Sequence, residues 1–68
     1  PRGLTLEEQA RRVIEAFPNI SAARADLIQK HFLSVNNFIR NWATVDEISG
    51  IGPKIKDGIG KVIMYEHG

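Results

Sequence analysis

Apolar residues along the first part of the chain recur at helical spacing. Leu6, Ala10, Val13, Ile14 and Phe17 share one face of a helical period, with charged residues between them. In front of them, Thr5-Leu6-Glu7-Glu8 fits a capping box, with Thr5 as N-cap and Glu8 reaching back to its amide. This helix is expected to end before Pro18, because the residue preceding a proline is pushed out of the helical region. Asn19 and Ser21 supply turn and N-cap chemistry, and a second helix is expected from Ala22 to about Phe32. Val35, Phe38, Ile39 and Trp42 mark a third, shorter helix. Thr44-Val45-Asp46-Glu47 repeats the capping-box pattern and predicts a helix of one or two turns that stops before Gly50. Pro53 opens the last helix, where its missing N–H costs nothing, and Ile55, Ile59, Val62 and Ile63 share a face there. No run of four or more alternating β-branched residues occurs, so no strand is expected. The pattern predicts an all-α fold of five short helices.

The two turn regions resemble each other. Phe17–Ile28 (FPNISAARADLI) and Ile48–Ile59 (ISGIGPKIKDGI) align at an offset of 31 residues, from Phe17 to Ile48. Ile20 then matches Ile51, Asp26 matches Asp57, Ile28 matches Ile59 and Phe32 matches Ile63. Identities are few, but each copy places helix, turn and helix around one central isoleucine. Two helical hairpins with approximate two-fold symmetry, joined by the third helix, account for the whole pattern.

Composition narrows what such a body can do. With 68 residues the chain is one small domain, short of buried surface and prone to rely on a partner. It has no cysteine, which excludes disulfides and thiolate metal sites. The longest uncharged apolar runs, such as Val62–Met64, are far too short to span a membrane, and a cytoplasmic or nuclear setting is the default expectation. The formal charge is only +1, with a sequence pI near 8.8. Any nucleic-acid binding must therefore come from local placement of cations, not from a polycationic field. Residues 1–4 read as linker, and the opening Pro1-Arg2-Gly3 is what a piece of a longer protein would show.

One stretch carries candidate chemistry: Ser49-Gly50-Ile51-Gly52-Pro53-Lys54-Ile55-Lys56. Its glycines permit positive φ and close approach of another molecule, and Ile51 between them is suited to plug between two helices. The turn runs straight into a helix N-terminus, where free amides and the dipole favour an anion. Lys54 in that first turn opposes the dipole, which makes sense if a phosphate sits there and offsets both. The bland reading is a helix-connecting turn with a solvated lysine. The whole motif and its repeat favour phosphate binding.

Ile48-Ser49-Gly50-Ile51-Gly52-Pro53-Lys54 resembles the helix-hairpin-helix motif at each defining position, and Phe17-Pro18-Asn19-Ile20-Ser21 resembles a degenerate copy with Asn19 and Ser21 where glycines stand. Together with the lead-in EEQARRVIEAFPNI and the intervening HFLSVNNFIRNWATVDEI, the chain over residues 4–67 is similar to the C-terminal tandem helix-hairpin-helix domain of XPF/Hef-type structure-specific nucleases. The resemblance implies a tandem domain over residues 5–67, with a first hairpin over about 6–33, a connecting helix over about 35–42 and a second hairpin over about 44–66. It implies a non-catalytic module that dimerises, with an identical or related domain, and binds duplex or branched DNA through phosphates without reading sequence. In that family the nuclease chemistry and its divalent metal, such as Mg, belong to another domain; no cofactor is expected here. Positions matching the motif give a DNA-binding set of Gly50, Ile51, Gly52 and Lys54, with Asn19 and Ser21 of the degenerate copy. The nearby cations Lys56 and Arg24 are added to it, Arg24 lying one residue past the place of Lys54 in the repeat.

The remaining candidates weigh less. His31 and His67 lack a companion at metal-ligand spacing, and the acidic pairs Glu7-Glu8 and Asp46-Glu47 read as caps, so no catalytic or metal site is expected. Trp42 reads as core, and Arg11, Arg12, Lys30, Arg40 and Lys61 as solvated surface. Gly58 and Gly60 each cost about 1 kcal/mol against alanine inside a helix. Either that helix frays or a surface packs closely there, and with Ile59, Ile63, Met64 and Tyr65 this points to a dimer contact. Two other functions compete: an accessory subunit using the domain as a protein-interaction surface, and a helix-hairpin-helix glycosylase fragment. The latter needs a Gly/Pro-rich loop and an aspartate beyond the hairpin, whereas Asp57 falls inside the hairpin's own helix.

Overall fold

A computed structural model describes Gly3 and residues 5–68; apart from Gly3, the expected linker over residues 1–4 lies outside the described residues. Helix α1 (Leu6–Glu15) begins with the capping box: the Thr5 hydroxyl accepts from the Glu8 amide at 3.1 Å, and the Thr5 amide donates to Glu8 Oε1 at 3.0 Å. It stops ahead of Pro18, as that residue's steric demand requires. Helix α2 (Ala22–Phe32) is capped by Ser21, and helix α3 (Val35–Arg40) by Ser34. A 3-10 helix (Trp42–Glu47) follows, and helix α4 (Pro53–Ile63) closes the fold. No strand occurs among the described residues.

Two expectations are corrected between residues 40 and 47. The third helix ends at Arg40, so Trp42 opens the next element instead of closing this one. Asn41 is the cause: its side-chain amide donates to Asn37 O at 3.1 Å and to Asn37 Oδ1 at 2.7 Å, a local alternative to continued helix. Nor does Thr44 cap a helix. Its hydroxyl donates to Asn41 O at 2.9 Å from within the 3-10 turn, where its amide also donates to that carbonyl.

α1 packs on α2 and α4 packs on the 3-10 helix, giving two hairpins, with α3 against both α1 and α2. Phe38 of α3 is fully buried at the centre, with the rings of Phe17 and Phe32 each 5.4 Å away. The 31-residue offset is structurally real. α2 and α4 coincide under it end to end, as do buried pairs Ile14 and Val45, Phe17 and Ile48, Ile20 and Ile51, and Ile28 and Ile59. Even the surface repeats: Asp26 pairs with Lys30 at 3.0 Å, and Asp57 with Lys61 at 3.3 Å.

Candidate nucleic-acid interface

The two hairpin turns share one backbone design. In the first, the Ile20 amide donates to Phe17 O at 3.3 Å, and in the second Ile51 donates to Ile48 O at 3.0 Å. The residue before each isoleucine is left-handed: Asn19 at φ 62° and Gly50 at φ 97°. Asparagine is among the few side chains that tolerate this region, so the first turn keeps its shape without glycine. Both isoleucines are buried and anchor the turns from inside, so Ile51 contributes to the expected DNA-binding set as a plug and not as a contact. Gly52 is extended at φ −94°, with open space where a Cβ would be. Unlike Gly50, it is not required by its conformation.

The hairpins differ in what their helix starts leave free. Ser21 caps α2 by accepting from the Arg24 amide at 3.3 Å. Gly52 stands at the same place before α4 and has no side chain to cap with. Since Pro53 has no N–H, the first amides of α4 are those of Lys54 and Ile55, and neither meets a side-chain cap. The second turn therefore presents free backbone donors on the positive end of an 11-residue helix.

Both turns open onto one shallow surface cavity of about 590 Å³, lined by Asn19, Arg24, Gly52, Pro53, Lys54 and Ile55. Ser21 lies on an adjoining depression with Glu15, Phe17, Asn19, Ile20 and Arg24. The structure thus gathers most of the expected set into one region. It separates Lys56, which pairs with Asp46 at 3.6 Å and faces a different cavity beside Trp42. Pro53 and Ile55 were not in the expected set, although their position after Gly52 is what places them there.

Ion pairing sorts the cations. Arg11 and Lys30 meet Asp26 at 3.2 and 3.0 Å, Lys61 meets Asp57, and Lys56 meets Asp46. Among the described residues, no carboxylate lies within ion-pair distance of Arg24 or Lys54, the two cations of the shared cavity. Arg24 instead donates to two backbone carbonyls, Gly50 O through Nε at 3.5 Å and Asn19 O through Nη1 at 3.4 Å.

One solved structure, XPF from Aeropyrum pernix, matches this chain over its whole length, with a TM-score of 0.86 and 28% sequence identity. The chain has an XPF fold. It covers 33% of that XPF chain, consistent with the helix-hairpin-helix domain implied by the sequence motifs. No protein-family model matches the sequence, and no curated protein does.

The expected partner surface divides within the XPF-like body. Ile59 is fully buried in the chain's own core. Gly60 is buried beneath Trp42, where an added Cβ would lie 2.6 Å from the ring carbon Cη2. Ile63 is half-buried against the core. Ile59 and Gly60 are therefore removed from that surface: their contacts are internal. The helix does not fray at its glycines, and Gly58 packs beside Pro18 of the first turn. Met64 and Tyr65 remain exposed, joined by Val62. Pro18, Gly58, Lys61, Val62 and Tyr65 line an adjoining apolar depression.

Proposed function

We propose that this chain is a sequence-independent DNA-binding and dimerisation module of an XPF/Hef-type repair nuclease, gripping backbone phosphates of branched or junction DNA. The observation that carries this reading is the shared cavity: two hairpin turns, uncapped amides at the start of α4, and two cations that no carboxylate among the described residues neutralises. Phosphate contacts of this kind fix position and carry no base information. With so few free cations, one copy neutralises only a handful of phosphates, and its affinity falls steeply with salt. A dimer with an identical or related domain adds contacts and effective concentration, which favours junctions offering two duplex arms.

In this reading the module is not catalytic. The parent endonuclease holds its divalent metal, such as Mg, in another domain; among the described residues no group of three or more acidic, histidine or cysteine side chains is placed to hold one. The work on DNA belongs to a cytoplasmic or nuclear protein. A second reading, an accessory subunit using the domain chiefly to bind protein, draws on the first hairpin, where the Ser21 hydroxyl already occupies an amide that α4 leaves open.

Lys54→Glu combined with Gly52→Val reverses one free charge and crowds the amides while leaving buried residues untouched. In a gel shift at low salt with duplex, single-stranded and splayed-arm DNA, this variant is expected to lose binding while its circular dichroism is unchanged. Undiminished binding would overturn the phosphate reading. Failure of the unaltered chain to bind any of the three would favour the protein-interaction reading.

A further inference from the structure

Arg24 makes an unusual pair of contacts. Its Nε and Nη1 donate to the carbonyls of Gly50 and Asn19, at 3.5 and 3.4 Å. These acceptors are equivalent positions of the internal repeat, separated by the 31-residue offset, and both are left-handed residues of their turns. One guanidinium thus grips the same atom of both hairpins, which puts it close to the pseudo-two-fold axis relating them. The repeat does not require an arginine there, since the matching residue in the other copy is Ile55. Nor does an ion pair, since no carboxylate among the described residues lies within reach.

We propose that Arg24 is a positioning residue that fixes the spacing between the two hairpin turns, so that they act as one rigid unit. A guanidinium suits the task because its N–H groups form a fixed planar fork; an ammonium carries the same charge at a point and does not hold two carbonyls at a set separation. α2 and α4 make few direct contacts, and the turns meet otherwise through apolar neighbours, Pro18 beside Gly58 and Leu27 beside Gly50. To these the Arg24 bonds add a directional link. The consequence for DNA rests on the phosphate reading: two phosphate grips at a set distance match a duplex backbone only while that distance holds.

The test separates spacing from charge. Arg24→Lys and Arg24→Gln, with Lys54→Gln as control, are compared in the 68-residue chain. Amide hydrogen exchange without DNA reads the turns directly. Exchange at Ile20 and Ile51 is expected to rise about tenfold in both Arg24 variants, while amides of the core helices and the melting temperature move little. In anisotropy titrations over a salt series, Arg24→Lys is expected to lose about tenfold in affinity with an unchanged salt slope, since the charge is kept. Lys54→Gln lowers that slope and leaves exchange at both turns unaltered. Unchanged exchange in Arg24→Gln, or full DNA affinity in Arg24→Lys, overturns the proposal. A uniform rise in exchange with a fallen melting temperature also overturns it, by showing ordinary destabilisation. If the unaltered chain binds no DNA, the phosphate reading fails while the exchange data still decide the spacing role.

Discussion

At the scale of single residues, three glycines in one stretch have three different reasons to be there, and mutation should separate them. Alanine at an interior helical position is worth about 1 kcal/mol over glycine on propensity alone. Gly58→Ala places its Cβ 3.4 Å from Pro18, an adjustable contact, and should be neutral or slightly stabilising. Gly60→Ala drives its Cβ to 2.6 Å from the Trp42 ring, and overpacking of this kind costs about 1–3 kcal/mol, more than propensity returns. Gly50→Ala meets only an ordinary contact, Leu27 Cδ1 at 3.7 Å, but the wrong φ, so it loses about 1 kcal/mol through the backbone. Urea unfolding of the three variants checks both order and signs. Leu33 gives the converse case. It caps α2 at φ 72° with its side chain 85% exposed, so it carries the left-handed penalty and buries nothing in return. Leu33→Gly is expected to stabilise the chain by about 1 kcal/mol in the same assay, and a loss of stability would show that the exposed leucine has a partner within the fold.

At the scale of elements, what could be read in advance follows the range of the interactions. Caps act over three residues, so Thr5 and Ser21 announced the starts of α1 and α2, and Pro53 that of α4. Asn41 was harder, because a Thr-x-x-Glu pattern three residues later offered a competing start, and only the side-chain bonds back to Asn37 decide between them. The capping box of α1 also carries a pH dependence. Hydrogen bonds from the Thr5 amide and hydroxyl, with smaller help from Arg12 and Arg11, hold the Glu8 carboxyl below its ordinary value of 4.5. A carboxylate whose folded value is depressed stabilises the fold above its unfolded value, and that contribution is lost as pH falls through the folded one. The first turn of α1 should therefore loosen as pH falls below about 4.5, seen as a lower protection factor of the Glu8 amide once the intrinsic pH dependence of exchange is divided out. Glu8→Gln keeps an acceptor for the Thr5 amide and removes the titration, so the protection factors in the first turn of its α1 should be insensitive to acid. If the original chain and this variant respond alike to acid, the carboxylate is not what holds that turn.

At the scale of the whole molecule, the candidate site depends on relations that no single motif contains. The hairpin motif pointed to Gly50 through Lys54, but the neutralisation of Lys56 needs Asp46 from the preceding element. The Arg24 link needs a turn 26 residues away. For the same reason Ile59 and Gly60 were expected at a partner surface: helical spacing shows that a face is apolar, not what covers it. With those two withdrawn, the exposed apolar residues of α4 lie at its C-terminal end, where Met64 and Tyr65 are 67% and 74% exposed beside Val62. The free amides lie at its N-terminal end, about 16 Å away along an 11-residue helix. This separation lets one copy pair through the C-terminal end without covering the hairpin cavity, which a DNA-binding dimer requires. Val62→Glu with Tyr65→Glu should then shift the chain to monomer in sedimentation equilibrium, at concentrations where the unaltered chain is dimeric. DNA binding by each monomer should persist, more weakly and with a smaller salt slope, because half the phosphate contacts are lost. Lys54→Glu with Gly52→Val should do the reverse, abolishing DNA binding and leaving the dimer intact. A strictly monomeric unaltered chain at high concentration, or a double-glutamate variant that dimerises as well as its parent, would remove the C-terminal end of α4 as the partner surface.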